Sequence, residues 1–397
     1  MIKRALRLFA VLFAALLSAA GAYGQNYYYG MRPIRDLDID FFSPKADTLS
    51  IFIVGDIMSH GYMLKSAWSR YCETHPGASR DDHSSYDYTC FFKHVEGRIK
   101  KADIAIGNME FPLAGPPFTG YPAFSGPDSY PYYLSATGFD VLLAANNHIL
   151  DKGDAGLERT LKVCDRLEKE TTTRYTGASK DADDDLARYP LMLEAKGVKV
   201  AVVNFTYGTN TGSTKAWPKV NRMRKDDIYA ALRRAREQGA DFILVLPHWG
   251  VEYSHRHSAQ QEDLAQWLVA NGADAIVGAH PHVVQDIQYL EEDGKTVPVF
   301  YSLGNAVSNQ NDLQARLELC LTLKIVAKRG SPLQLARPEY EFLWCTKPGM
   351  VEPSYSVLPV REFLSRESAW KVPEDYMNMK ETYHKVKKAT SVNEEDN

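Results

Sequence analysis

The stretch Leu142–Gly153, LLAANNHILDKG, sets the first constraint on the fold. An apolar run ends abruptly in Asn146, Asn147 and His148, and Asp151 follows three residues after the imidazole. A buried strand that terminates this way either makes an awkward turn or builds a site. The next residues, DAGLERTLKVCDRLEKE, space apolar side chains three and four apart, as a helix packed on one face does. The local reading is a strand, a polar junction and then a helix.

The same plan recurs along the chain. SIFIVGD, ADIAIGNME, VKVAVVNFTY, DFILVLPHWG, ADAIVGAHPH and PVFYSLGN are short apolar, β-branched runs bounded by Gly, Pro or polar residues. DDIYAALRRAREQGAD and SAQQEDLAQWLVANGAD carry helical periodicity between them. Alternating strands and helices predict an α/β layered fold. ARLELCLTLKIV and YEFLWC, after Gln310, read as antiparallel strands that extend or cover a sheet.

Almost every run delivers polar residues at its C-terminal edge, where ligands bind in open α/β sheets. These are Asp56, Asn108 and Glu110, Asn146 to His148, His248, His280 and His282, and Ser302 with Asn305. Taken singly, each has a bland explanation: Asp56 could cap a helix, Asn147 could take a left-handed turn, His248 could be a hydrogen-bonded core histidine. Recurrence at one edge is what accidents would not produce. The set holds carboxylates, a carboxamide and imidazoles without thiolates, which suits divalent Mn, Fe or Zn. Six ligands (Asp56, Glu110, Asn147, His248, His280 and His282) exceed the need of one tetrahedral ion and suffice for two sharing a carboxylate. Such a site would be net positive, able to hold a hydroxide nucleophile and an anionic substrate oxygen.

Composition sets outer bounds. The 397 residues are 45% hydrophobic and 24% charged, an ordinary globular balance with a formal net charge of −4. That small charge gives no basic surface for a nucleic-acid partner. The N-terminus has Lys3, Arg4 and Arg7, then an apolar run from Leu8 to Leu17, then small residues. This is the plan of a secretory signal peptide over 1–24, with an uncleaved membrane anchor as its alternative. Export to the periplasm or cell envelope follows. A Tyr-rich linker or arm is expected over 25–47, and a charged, fraying tail over 376–397. Of the five cysteines, Cys72 and Cys90 flank one polar loop and form the best candidate disulfide pair, while Cys164 reads as core.

GDIM, IGNMEFPL, ANNHILDKG, HWGVEY, GAHPHVVQ and YSLGN, in that order, resemble the bacterial capsule-synthesis family called CapA, or PgsA in poly-γ-glutamate systems. That family is related to calcineurin-like metallophosphoesterases. The resemblance runs from Leu49 to Gln310 and implies a four-layer α/β/β/α sandwich over 48–310, completed by antiparallel strands over 311–375. It implies one or two divalent ions at the strand ends. Asp56 takes the place of the first aspartate, Glu110 falls near the bridging carboxylate, and Asn147 takes the asparagine of the GNH motif. His148 takes that motif's acid, His248, His280 and His282 match the remaining ligands, and Asp151 either orients His148 or caps the next helix. Asn108, Glu252 and Asn305 are the candidate substrate-binding residues.

Two departures stand out. The phosphoesterase Asp-x-His reads Asp56-Ile57-Met58 here, so one imidazole ligand is missing, and His60 is wrongly spaced to replace it directly. The bridging residue is Glu instead of Asp. The resemblance implies hydrolysis or transfer at an amide of an anionic envelope polymer such as poly-γ-glutamate, by metal-bound hydroxide. A phosphoesterase and a non-catalytic partner of membrane capsule-synthesis proteins are the alternatives. The Pro116–Leu134 stretch forms either an aromatic rim over the cleft or a Pro-rich loop covering core.

Overall fold

The computed structural model describes residues 47–327 and 333–394. The expected signal peptide over 1–24, and the expected arm as far as residue 46, lie outside the described residues. Four strands come first: β1 (Asp47–Ile57), β2 (Ile104–Met109), β3 (Val141–Leu143) and β4 (Arg174–Thr176). The antiparallel pair β5 (Leu191–Ala195) and β6 (Val198–Thr206) follows, then β7 (Phe242–His248) and β8 (Ala275–Val277). Next come antiparallel β9 (Ile287–Glu292) and β10 (Lys295–Phe300), then β11 (Asn305–Val307). Three strands close the series: β12 (Leu317–Ala327), β13 (Glu339–Thr346) and β14 (Ser356–Pro359).

The principal helices are α1 (Gly61–Thr74), α2 (Ser129–Thr137), α3 (Gly153–Glu170), α4 (Lys225–Glu237), α5 (Ala259–Ala270) and α6 (Pro373–Thr390). α3 buries Leu157, Leu161, Cys164 and Leu167 on one stripe, the periodicity read from the sequence. α5 starts at a capping box in which Ser258 and Gln261 satisfy each other's backbone N–H.

One sheet of nine strands runs β14-β13-β12-β1-β2-β3-β4, with β11 parallel to the end of β1 and the short strand Gln334–Leu335 antiparallel to β12. A second, of six strands, runs β9-β10-β8-β7-β6-β5. Side chains alternate across each strand, and this alternation makes three cores. Leu49, Ile51 and Ile53 of β1 meet Val198, Val200 and Val202 of β6 and Phe242 and Leu244 of β7 between the sheets. Phe52 and Val54 point the other way, onto a core shared with α1, α2 and α3. Val203, Phe205, Ile243 and Val245 pack under α4 and α5. The result is the four-layer α/β/β/α sandwich, and the strands after Gln310 pair antiparallel with β1 and with one another.

Two expectations differ from what is observed. The stretch from Tyr376 does not fray but forms most of α6, burying Tyr376, Met379, Tyr383 and Val386 against the large sheet. Glu394 then takes the Phe342 N–H at 2.6 Å and the Tyr383 hydroxyl at 2.6 Å. Lysines on the outer face hid this narrow apolar stripe, because each covers apolar surface with its stem and keeps its charge in water. Cys72 and Cys90 are not bonded to each other; all five cysteines are free thiols, and Cys164 sits in the core as expected.

α6 is pinned by a buried ion pair, Arg316 Nη1 to Asp375 Oδ1 at 2.7 Å, while Arg316 Nε donates to the Cys345 carbonyl at 2.9 Å. Removing one partner of such a pair strands a buried charge. Asp375→Ala should therefore lose about 3–5 kcal/mol in equilibrium denaturant unfolding. An Asp375→Ala midpoint equal to wild type would show that α6 is held by its apolar stripe alone.

Candidate metal centre and cleft

The C-terminal edges of β1, β2, β3 and β7 converge with the turn after β8. Two glycines let the backbones approach closely enough. A Cβ on Gly55 would lie 2.0 Å from the Gly304 carbonyl oxygen, which accepts the Asp56 N–H at 3.0 Å. Gly304 itself takes φ +83, a conformation glycine tolerates without strain. The register pairs Asp56 with Asn108 on one side and with Asn305 on the other.

Glu110 lies at the centre, fully buried. Its Oε1 lies 3.6 Å from His248 Nε2 and 3.9 Å from His282 Nε2, yet neither carboxylate oxygen receives a hydrogen bond. Asp56 is also buried, taking Asn108 Nδ2–H at 2.7 Å on Oδ1, with Oδ2 3.3 Å from His282 Nδ1. Asn147 Oδ1 lies 2.9 Å from His248 Nε2. His280 and His282 hold φ +99 and +60, sparsely populated backbone for non-glycine residues, and such strain clusters at functional sites.

Electrostatics divides the two carboxylates. Burial would raise Asp56, but its hydrogen bond to His282 and the charges of His282 and His248 hold it well below the usual carboxylate range. Glu110 goes the other way, pushed well above its ordinary value by burial and then by the negative charge of Asp56. Burial, then the charge of His282, pushes His280 down to about 3. Burial also opposes the charged form of His282, but its hydrogen bond and charge interaction with Asp56 raise it overall.

Six sequence-selected residues come together. Donor atoms of Glu110, His248 and His280 lie within 4.8 Å of one another, as do those of Asp56, Glu110 and His282. The two trios share Glu110. A buried carboxylate with no donor is costly, and the Glu110 oxygens and His280 Nδ1 are all left without partners. These oxygen and nitrogen donors fit a divalent cation, which would supply the missing partner.

The centre opens into a cleft of 1070 Å³ lined by Met58, His60, Asn147, His148, Glu252 and His282, among others. Met58 occupies the wall where the sequence lacks an imidazole. His148 Nδ1 lies 2.7 Å from Asp151 Oδ2, which also accepts the Phe124 N–H at 2.9 Å. No side chain caps the start of α3, so Asp151 contacts the ring and not the helix end. Gly120, Tyr121 and Pro122 line the cleft, whereas Phe124 and Tyr130 are buried, so the Pro-rich stretch does both things read for it.

Glu252 faces the cleft, but the other two candidate substrate contacts do not. Asn108 is buried between Asp56 and His248, its Nδ2 3.3 Å from His248 Nδ1. Asn305 Oδ1 lies 2.9 Å from His282 Nδ1, and its amide donates to the Ala315 carbonyl at 2.9 Å. Both orient candidate ligands from behind. The strand ends had shown which edge these residues reach, but not which way their side chains turn.

Sequence reading missed several residues. Asn204 of β6 ties three strand ends together, accepting the Ala145 N–H at 2.9 Å and donating to the Leu246 carbonyl at 2.7 Å. Its signal was a carboxamide inside the apolar run VVNFTY. The ring of Tyr207 lies 4.5 Å from that of His280. Asn210 Nδ2 comes 3.2 Å from His148 Nδ1, from a loop with no periodic pattern.

Layer order and a carboxylate common to both trios at the strand ends define an α/β/β/α sandwich with a candidate metal centre. Residues 50–310 match the family model described as bacterial capsule synthesis protein PGA_cap, and the chain belongs to that family. It is 32% identical over 275 residues to the capsule biosynthesis protein CapA of Bacillus anthracis, covering 66% of this chain and 61% of that one. The PGA biosynthesis protein CapA of Bacillus subtilis is 28% identical over 281 residues, covering 68% and 66%. The chain thus matches less than two thirds of the length of either relative. Among solved structures, the calcineurin-like phosphoesterase YfkN of Bacillus subtilis overlays with a TM-score of 0.42 at 15% identity, over 88% of this chain and 100% of that one.

Two measurements probe the centre. Glu110→Gln keeps the shape but removes the charge two ions would share, so divalent metal retained after loading should fall to near zero with the fold intact. Full metal content by elemental analysis would take Glu110 out of the ligand set. Glu318 lies beneath Asp56, accepting the Gly55 N–H at 2.6 Å, and burial raises its carboxyl from 4.5 to about 8. A raised folded-state value means the stabilising contribution is present below pH 4.5 and is lost as pH rises towards 8. Each pH unit crossed in that window costs wild type at most about 1.4 kcal/mol. The thermal midpoint of Glu318→Gln, measured against wild type, should therefore improve as pH rises through the same window. A constant difference would place the carboxyl near its ordinary value.

Proposed function

We propose that this protein is an exported, metal-dependent hydrolase of capsule polymer metabolism. It acts on an amide of an anionic envelope polymer of the poly-γ-glutamate type. The observation that carries this reading is the unpartnered Glu110 carboxylate, set between His248 and His282 beside a cleft that also presents the His148–Asp151 pair. The printed names of the two relatives, a capsule and a PGA biosynthesis protein, support the polymer class.

Asp56, Glu110, Asn147, His248, His280 and His282 would hold the ions. When bound, these supply Lewis acidity and lower the pKa of water. The chain's own residues do the rest. Asp151 fixes the His148 ring by accepting from Nδ1–H, which leaves Nε2 to deliver a proton to the departing amine nitrogen. Asn108 and Asn305 keep His248 and His282 from rotating. Lys65 and Arg80 share the cleft with Glu252 and Asp312, so their charges offset and the preference for an anion rests on the metal centre.

Assay of metal-loaded protein on a γ-glutamyl polymer and on an aryl phosphate tests the proposal. Polymer cleavage alone supports it. Phosphate cleavage alone would make the chain a phosphoesterase, and polymer binding without turnover a non-catalytic capsule partner. Variants sharpen the division of labour. Asn147→Ala should lose metal and turnover together, whereas His148→Ala should keep its metal and lose roughly 10²- to 10⁴-fold in turnover. Empty metal sites in His148→Ala would make His148 a ligand and sink the acid role.

A further inference from the structure

We infer that His60 is a substrate-contacting residue of this cleft. Its neutral imidazole donates Nε2–H to an anionic oxygen of the bound substrate, and it does not replace the ligand missing at Met58. The inference rests on the hydrolase reading of the cleft and adds a group to its machinery.

Three observations converge on it. The first is the tautomer. The backbone N–H of Asn309 donates to His60 Nδ1 at 3.2 Å, and a backbone N–H can only donate. Nδ1 is therefore the acceptor, and the ring proton sits on Nε2. Among the described residues no protein group accepts that proton, and His60 lines the cleft.

The second is rigidity. His60 is the N-cap residue of α1, and its carbonyl accepts from Met63 at 2.9 Å and Leu64 at 3.0 Å. Its ring stands edge-on to Phe124 at 5.3 Å, and the other side of the cleft places His148 edge-on to the same ring at 4.6 Å. Phe124 thus spaces two imidazoles of opposite character. His148, with Nδ1 committed to Asp151, offers Nε2 for proton transfer. His60, with Nδ1 committed to Asn309, offers a donor only.

The third is electrostatic. Burial pushes His60 down to about 3, with help from the neighbouring charges of His282 and His148. It stays neutral across the working range and cannot shuttle protons. A fixed, preorganised N–H aimed at developing negative charge is the kind of group that stabilises an oxyanion. His60 also belongs to neither trio of mutually close ligand atoms.

The test uses the metal-loaded full chain with two substitutions that fill the same volume. His60→Leu has no donor, and His60→Gln restores an N–H. Three quantities are read: metal content, affinity for inorganic phosphate as an anionic-oxygen probe, and kcat/KM on γ-glutamyl polymer. We expect His60→Leu to keep its metal and lose 10-fold or more in both affinity and kcat/KM, and His60→Gln to recover part of each. Unchanged affinity and turnover in His60→Leu would make His60 a packing residue. Loss of metal would make it a ligand. Either overturns the inference. If wild type binds phosphate but cleaves no polymer, the hydrolase reading fails while the phosphate arm still decides the role of His60. If wild type does neither, both fail.

Discussion

The site depends on a carboxylate that the protein itself does not satisfy. Glu110 has both oxygens buried without a hydrogen bond, and its neighbours are another carboxylate and two imidazoles. Burial and the negative charge of Asp56 push Glu110 towards its neutral acid form, yet its buried oxygens still lack a partner, which is itself costly. The surrounding fold must therefore be rigid enough to hold Glu110 in place without its carboxyl group finding a local partner. Three layers of apolar packing supply that rigidity, and the glycine contact between Gly55 and Gly304 sets how closely β1 and β11 can come. The centre is thus held by backbone geometry first and by side-chain bonds second.

A shell of carboxamides translates that backbone geometry into side-chain directions. Asn108, Asn305, Asn204 and Asn146 each bridge one strand end to the next, and all are buried. Carboxamides suit this place because each offers a donor and an acceptor without adding charge. The shell also reaches outward: the Ala315 carbonyl holds Asn305, and Arg316 beside it ties down α6 through Asp375. A continuous chain of contacts thus runs from the C-terminal helix to the imidazole of His282.

The strand system was legible because a buried strand must be apolar along its length and polar where it stops. GDIM, IGNME, AANNH and GAHPH all obey this, so Asp56, Glu110, Asn147 and His280 stand out in the sequence itself. What stayed hidden has specific causes. A register irregularity between Ile53 and Asp56 breaks the two-residue alternation near the site, so the direction of Asn108 relative to Asp56 could not be counted from the sequence. Asn210 and His60 act from a loop and a helix cap, where no period exists to read. α6 was mistaken for a tail because one buried stripe among many lysines has low average hydrophobicity.

The two candidate trios are not equivalent, and the difference follows from Met58. Glu110, His248 and His280 offer two nitrogens and a carboxylate, with the Asn147 oxygen 2.9 Å from His248 Nε2. Asp56, Glu110 and His282 offer two carboxylates and one nitrogen, with a thioether on the nearby wall where the resemblance expects an imidazole. The first donor set is softer and the second harder and poorer in donors. Losing a neutral imidazole changes the donor count but leaves the charge balance of the second trio intact. The asymmetry would therefore act on how tightly the second trio could hold an ion, and not on the charge its own side chains present.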